Sequence, residues 1–167
     1  PTGTCVDPEE LHPFLRSVPG HVVVLLDEAY VEFLPGALRP DSIAWLREFP
    51  NLMITRTFSK AHGLAGLRVG YAIAQPALAE VLRRVRAPFR VSEAGQLAAV
   101  AALRDTDFVA RTVAHNRSQR EVLVAGLREL GISTLESHTN FVLAQVGSGA
   151  SWAQRLQAHG LLVRPVD

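Results

Sequence analysis

Cysteine, lysine and methionine are close to absent from this chain of 167 residues. The single cysteine, Cys5, excludes an internal disulfide framework and suits a reducing compartment, so the cytoplasm is the expected location. Neither sign of charge dominates: 17 basic side chains face 16 acidic ones, a net charge of +1, which gives no electrostatic footprint for nucleic acid. The basic run Arg83, Arg84, Arg86 and Arg90 reads as a solvated helix face. The apolar run Val22 to Leu26 is far too short to span a bilayer, and no stretch has the order of a secretion signal, so no membrane partner is expected. The six histidines and Cys5 show no metal-ligand spacing. Gly63, Gly66 and Gly70 do not make the Gly-x-Gly-x-x-Gly of a dinucleotide site, and Gly147-Ser148-Gly149 reads as a loop, not a hydrolase nucleophile.

With 48% hydrophobic and 20% charged residues, the chain can pack a core, and general disorder is excluded. Its length fits one ordinary domain, or one with a small appendage. Asp7 and Pro8 open a helix running to Val18, and Val22 to Leu26 reads as a strand buried on both faces, ending at Asp27. Asp41 to Phe49 is a short amphipathic helix, Leu52 to Thr55 a second strand and Val69 to Ala74 a third. Helices follow over Ala77 to Arg86, from Ser92 to Leu103, and from Asp105 to about Leu130, stopped by Gly131. The tail adds strands at Phe141 to Val146 and Leu161 to Arg164 around a helix at Ser151 to His159. This order predicts an α/β fold with a parallel sheet, helices beside it and a small mixed unit, divided near Leu103. The opening Pro1-Thr2-Gly3-Thr4 reads as a turn and the apolar end as a strand cut short, so both ends are expected to continue into a longer protein.

Only Lys60 among the basic residues is lysine. A guanidinium effectively never loses its proton, so it cannot replace an amine that must become an uncharged nucleophile. An arginine-biased composition that spared one lysine by chance accounts for the count equally well. In an open parallel sheet, ligands bind beyond the carboxyl ends of the strands. Asp27, Glu28 and Tyr30 follow one strand, Thr57, Ser59 and Lys60 follow the next, and Arg68 follows a glycine-rich turn. A carboxylate, a phenol, hydroxyls, one amine and a guanidinium are what an imine-forming cofactor with a phosphate handle requires. In pyridoxal phosphate the carboxylate keeps the ring nitrogen protonated and the phenol meets the ring oxygen. The amine carries the aldehyde, and the cations and hydroxyls take the phosphate.

Asp27-Glu28-Ala29-Tyr30-Val31-Glu32-Phe33 and Arg56-Thr57-Phe58-Ser59-Lys60-Ala61-His62-Gly63-Leu64-Ala65-Gly66-Leu67-Arg68-Val69-Gly70-Tyr71 closely resemble the fold-type-I pyridoxal-phosphate aminotransferases. Within these the chain is similar to the histidinol-phosphate aminotransferase group, which includes the related aromatic amino acid aminotransferases. Thr139-Asn140-Phe141-Val142 resembles that family's small-domain strand. The resemblance implies that residues 1–103 form the C-terminal half of a large cofactor-binding domain of the aspartate-aminotransferase type. Residues 104–167 would be a bridging helix and part of a small α+β domain. It implies Asp27 on the pyridine nitrogen, Tyr30 on the ring oxygen, and Lys60 as carrier of the internal aldimine and proton shuttle. Ser59 and Arg68, with Thr57 beside them, are implied for the phosphate, and Arg164 for the substrate side-chain end. His62 departs from the family pattern and reads as a packing substitution.

The implied reaction moves an amino group between an L-amino acid or histidinol phosphate and a 2-oxo acid such as 2-oxoglutarate, in a homodimeric enzyme of amino-acid (histidine) biosynthesis. Arg86 to Ser92 leans toward the aromatic branch. The family's ring-stacking aromatic, early phosphate loop and α-carboxylate arginine have no counterpart here, so the chain by itself is expected to be inactive. Two other readings remain open from the residues. Val22 to Glu28 also fits the Asp-Glu strand of a P-loop nucleotide hydrolase, although no Gly-x-x-x-x-Gly-Lys-[Ser/Thr] precedes it. An inert assembly fragment is the non-catalytic alternative.

Overall fold

The computed structural model describes residues 2–166, so Pro1 of the opening turn and Asp167 lie outside the described residues. Helix α1 covers Pro8–Ser17, capped by Asp7, whose carboxylate accepts from the Glu9 amide at 2.8 Å. Strand β1 (Val24–Asp27), the short helix α2 (Ser42–Trp45), strand β2 (Leu52–Thr57) and strand β3 (Gly70–Ala74) follow. The remaining helices are α3 (Pro76–Val85), α4 (Glu93–Arg104), α5 (Thr106–Glu129) and α6 (Gly149–Ala158). Ser92 and Asp105 cap α4 and α5 as their positions predict, and Gly131 takes a left-handed φ of 72° just past the end of α5.

The sheet has the order β1-β2-β3. Strands β1 and β2 are parallel, with Val24 opposite Leu52 and Asp27 opposite Thr55, whereas β3 runs antiparallel to β2, with Thr57 opposite Gly70. The expectation of a parallel sheet therefore holds for the first pairing only. A parallel return needs a crossover of a dozen or more residues, usually a helix. The segment between β2 and β3 holds only the lysine loop and a single 3-10 turn at Ala65–Leu67.

Strand alternation sends Leu52 and Ile54 of β2, both with no exposed surface, onto Leu15, Leu46 and Phe49, with Val24, Leu26 and Ile73 beside them. The opposite row behaves differently. Leu25 is 53% exposed, so β1 is buried on one face and not on both. A second cluster joins Phe58, Val69 and Ala99 and seats α4 under the lysine loop. A Cβ on Gly95 would lie 3.0 Å from Val69 Cγ2, so this close approach depends on glycine.

The tail diverges most from the sequence expectation. Neither Phe141 to Val146 nor Leu161 to Arg164 forms a strand among the described residues. One bridge, Thr134 to Ala144, represents the first, and Leu161, Leu162 and Val163 are all exposed. A strand is completed by a neighbour's backbone, and β propensity cannot replace that neighbour.

Candidate active site at the strand ends

Asp27 closes β1 in the row that faces away from the main core. Its Oδ1 accepts from the Ala29 amide at 3.1 Å and from the Thr55 hydroxyl at 3.4 Å. These bonds orient the carboxylate, and Oδ2 accepts no hydrogen bond among the described residues. Tyr30 stands at the start of the 3-10 turn Val31–Phe33, held edge-on against Phe141 at 5.6 Å between ring centroids. Phe141 therefore brings the tail to the site, and the backbone bond from the His138 amide to the Gly3 carbonyl, 2.8 Å, ties the tail to the opening segment as well.

Lys60 comes from the loop after β2. Its Nζ lies 5.3 Å from the centroid of the Tyr30 ring, which joins the two sequence motifs in space. The loop is anchored by Phe58, 3% exposed, a burial that contributes roughly 1.5–3 kcal/mol relative to an exposed side chain. Thr57 serves the loop itself: its hydroxyl donates to the Val69 carbonyl at 3.4 Å and accepts from the Ser59 amide at 3.1 Å. That leaves the Ser59 hydroxyl as the freer of the two. Arg68 adopts a left-handed conformation (φ 54°, ψ 44°), unusual for a residue with a Cβ, and donates to the Ala65 carbonyl at 2.9 Å. Arg164 sits in the exposed segment after α6 and makes no hydrogen bond or ion pair among the described residues. Thus Asp27, Tyr30, Thr57, Ser59, Lys60 and Arg68 all come from contiguous strand ends, and Arg164 stands apart.

His62 packs on Phe58 with ring centroids 5.0 Å apart, in keeping with a packing role. It also has a charged neighbour, since its Nε2 lies 3.7 Å from Glu32 Oε1, and its buried Nδ1 has no partner among the described residues.

The sequence singled out Glu28 only as a strand-end carboxylate and as half of the Asp-Glu pair of the nucleotide-hydrolase alternative, and gave Arg56 no role. Glu28 is 6% exposed; its Oε2 accepts from Arg56 Nε at 2.8 Å and forms an ion pair with Nη2 at the same distance. Burial opposes the Arg56 charge, but the hydrogen bond and charge of Glu28, and then the Tyr71 hydroxyl, outweigh it, and the guanidinium is held above its ordinary value. A signal was available: two opposite charges sit at strand positions whose alternation points them inward. The pair also removes the nucleotide-hydrolase alternative, because a Glu28 committed to Arg56 inside the fold is not beside Asp27 to share a metal ion.

The donor set fits pyridoxal phosphate. A fixed carboxylate with one oxygen to spare, a phenol ring against the only lysine amine, and a hydroxyl and a guanidinium from the loop between β2 and β3 match the nitrogen, oxygen, aldehyde and phosphate of that group in turn.

Comparison with known proteins agrees. Residues 1–167 match the family described as aminotransferase class I and II. The chain is 50% identical over 170 residues to histidinol-phosphate aminotransferase 1 of Cupriavidus pinatubonensis, covering 99% of this chain and 45% of that protein. It is 48% identical over 166 residues to the histidinol-phosphate aminotransferase of Methylobacillus flagellatus, covering 99% and 45%. The crystal structure of histidinol-phosphate aminotransferase from Sinorhizobium meliloti in complex with pyridoxal-5'-phosphate superposes with a TM-score of 0.90 at 36% identity, over 98% of this chain and 46% of that one. The chain thus spans a little under half the length of the curated relatives it matches. The strand-end cluster and these matches lead to the same conclusion: this chain belongs to the class I and II aminotransferases.

Proposed function

We propose that this chain carries the cofactor-holding half of a pyridoxal-phosphate aminotransferase acting on histidinol phosphate or an aromatic amino acid, with a 2-oxo acid such as 2-oxoglutarate as acceptor. The observation that carries the reading is the Lys60 amine set against Tyr30 at the ends of two strands, one of which closes on the oriented Asp27 carboxylate. Among the two substrate classes, the relatives near 50% identity favour histidinol phosphate over the aromatic branch. Residues 1–103 then belong to the large domain and 104–167 to the bridging helix and small domain of a cytoplasmic, homodimeric parent. No helix among the described residues is long and apolar enough to cross a membrane.

When bound, pyridoxal phosphate supplies an electron sink for the pair released as the substrate Cα–H bond breaks. The chain's own residues do the rest. Asp27, its Oδ1 fixed by Thr55 and Ala29, would accept with Oδ2 from the protonated ring nitrogen and hold that proton. Tyr30 would donate its phenolic proton to the ring oxygen, its ring kept upright by Phe141. Lys60 would take the proton from substrate Cα as a neutral amine and return it. Ser59 and Arg68 would bind the phosphate, with Thr57 shaping the loop that presents them. Arg164 would face the substrate side-chain end.

The test is reductive trapping with borohydride on the full-length parent loaded with pyridoxal phosphate, followed by peptide mapping. Saturable labelling at Lys60 that disappears in Lys60→Ala is the expected result. Labelling elsewhere, or none, overturns the reading. Steady-state comparison of histidinol phosphate with phenylalanine then assigns the substrate class, and failure on both removes it.

A further inference from the structure

Three strands deliver the site: β1 carries Asp27, β2 leads into Lys60, and Arg68 precedes β3. The Glu28–Arg56 pair joins the first two directly behind these residues. Glu28 lies one residue past Asp27, and its amide extends the β1–β2 ladder by donating to the Thr55 carbonyl at 2.9 Å. Its side chain takes the opposite direction from Asp27 and meets Arg56, four residues before Lys60. Arg56 in turn is the register partner of Tyr71 on β3, and the Tyr71 ring lies on Phe58 at 5.6 Å. A continuous path therefore runs from the residue after Asp27, across all three strands, to the aromatic anchor two residues before Lys60.

The pair is an expensive way to join strands. Glu28 Oε1 is buried without a partner among the described residues, while Oε2 takes the Nε hydrogen bond and the Nη2 ion pair. Buried ion pairs often contribute no more to stability than apolar residues of similar size, so their distinctive contribution is directional: the planar Arg56 guanidinium, held edge-on to one Glu28 oxygen, restricts the register and angle of the two strands where apolar contacts admit several. Resting on the aminotransferase reading above, we propose that Glu28 and Arg56 are positioning residues. On this view the buried pair, with Tyr71 against it, sets the distance between the Asp27 carboxylate and the Lys60 amine and so tunes cofactor binding, without itself touching cofactor or substrate.

The experiment uses the full-length parent and compares wild type with the paired variant Glu28→Leu/Arg56→Leu, which leaves neither charge buried alone. Three quantities are read: thermal midpoint, pyridoxal-phosphate Kd, and the pH midpoint of the bound cofactor's absorbance change. A positioning role predicts a thermal midpoint near that of wild type, a Kd raised about tenfold or more and a displaced absorbance midpoint, comparable with the loss from removing outer partners of a bound group. Wild-type Kd and absorbance in a well-folded paired variant would mean that the ion pair only holds the fold, and the proposal falls. If the paired variant does not fold, Arg56→Lys decides, because it keeps the charge and loses the planar guanidinium: weakened binding supports positioning, and wild-type binding overturns it. A wild-type protein that fails to bind pyridoxal phosphate overturns the aminotransferase reading instead, and this inference with it.

Discussion

The sheet unit and the tail hold their arginines in opposite ways. Arg68 is pinned: it sits at the entrance to β3 in a left-handed conformation, tied to Ala65, with the buried Val69 directly after it. Arg164 is exposed, in a segment in which Leu161, Leu162 and Val163 also face outward. Cofactor chemistry needs groups fixed to within fractions of an ångström, and strand ends backed by Leu52 and Ile54 provide that. The two regions meet at few points, chiefly Tyr30 on Phe141 and the His138–Gly3 backbone bond.

The largest expected contrast is in stability. Ile54→Ala should cost about 2–5 kcal/mol in urea unfolding, as truncations in packed cores do, whereas Leu162→Ala should stay within about 0.5 kcal/mol. Equal costs would break the comparison by making the tail part of the core. Next comes a split between the two arginines. Arg68→Gly should relieve a left-handed residue by about 1–2 kcal/mol while adding roughly 0.5–1 kcal/mol of chain entropy, for a small net gain in stability. The same variant should bind pyridoxal phosphate about tenfold more weakly, the loss of one charge-assisted phosphate contact. Arg164→Ala should leave the cofactor Kd unchanged and raise KM, so a cofactor defect there would show that the tail reaches the phosphate. Calorimetry and cofactor titration read both.

The smallest effect concerns Cys5, where opening segment and tail adjoin. Burial, then the charges of Asp7 and Glu136, hold its thiol above the ordinary value. A group whose proton is held more tightly when folded contributes stability below its unfolded-state value and loses it as pH rises through the folded one. Alkylation of Cys5 should therefore accelerate at a higher pH than for a free thiol, and Glu136→Gln should lower that pH slightly. No response would show that the tail's charge does not reach Cys5.

Much of this molecule was legible beforehand, for identifiable reasons. Caps are local, so Asp7, Ser92 and Asp105 announced their helices through residues only two or three positions away. The lysine loop was legible in its local part, because the Thr57 hydroxyl bonds the Ser59 amide two residues on; the packing of Phe58 on Ala99 and the approach of Lys60 to Tyr30 were not, since they join distant segments. The strands expected at Phe141 to Val146 and Leu161 to Arg164 failed for that same reason: their apolar residues suit a strand, but backbone partners must come from elsewhere. Leu25 makes the same point, with a pattern that fits burial on both faces and a structure in which one face stays half open.

Sequence alone determined which chemical groups this protein brings to its site: one lysine, a carboxylate and phenol three residues apart, and an arginine eight residues past the lysine. Those identities and spacings are covalent and survive any folding. Tertiary structure alone decided that β3 returns antiparallel, that Tyr30 lies beside Lys60, and that Glu28 turns inward to Arg56 while its neighbour Asp27 turns to the open row. Each of these depends on contacts between segments distant in sequence, and such contacts exist only once the strands have paired and their alternation has assigned each side chain a face.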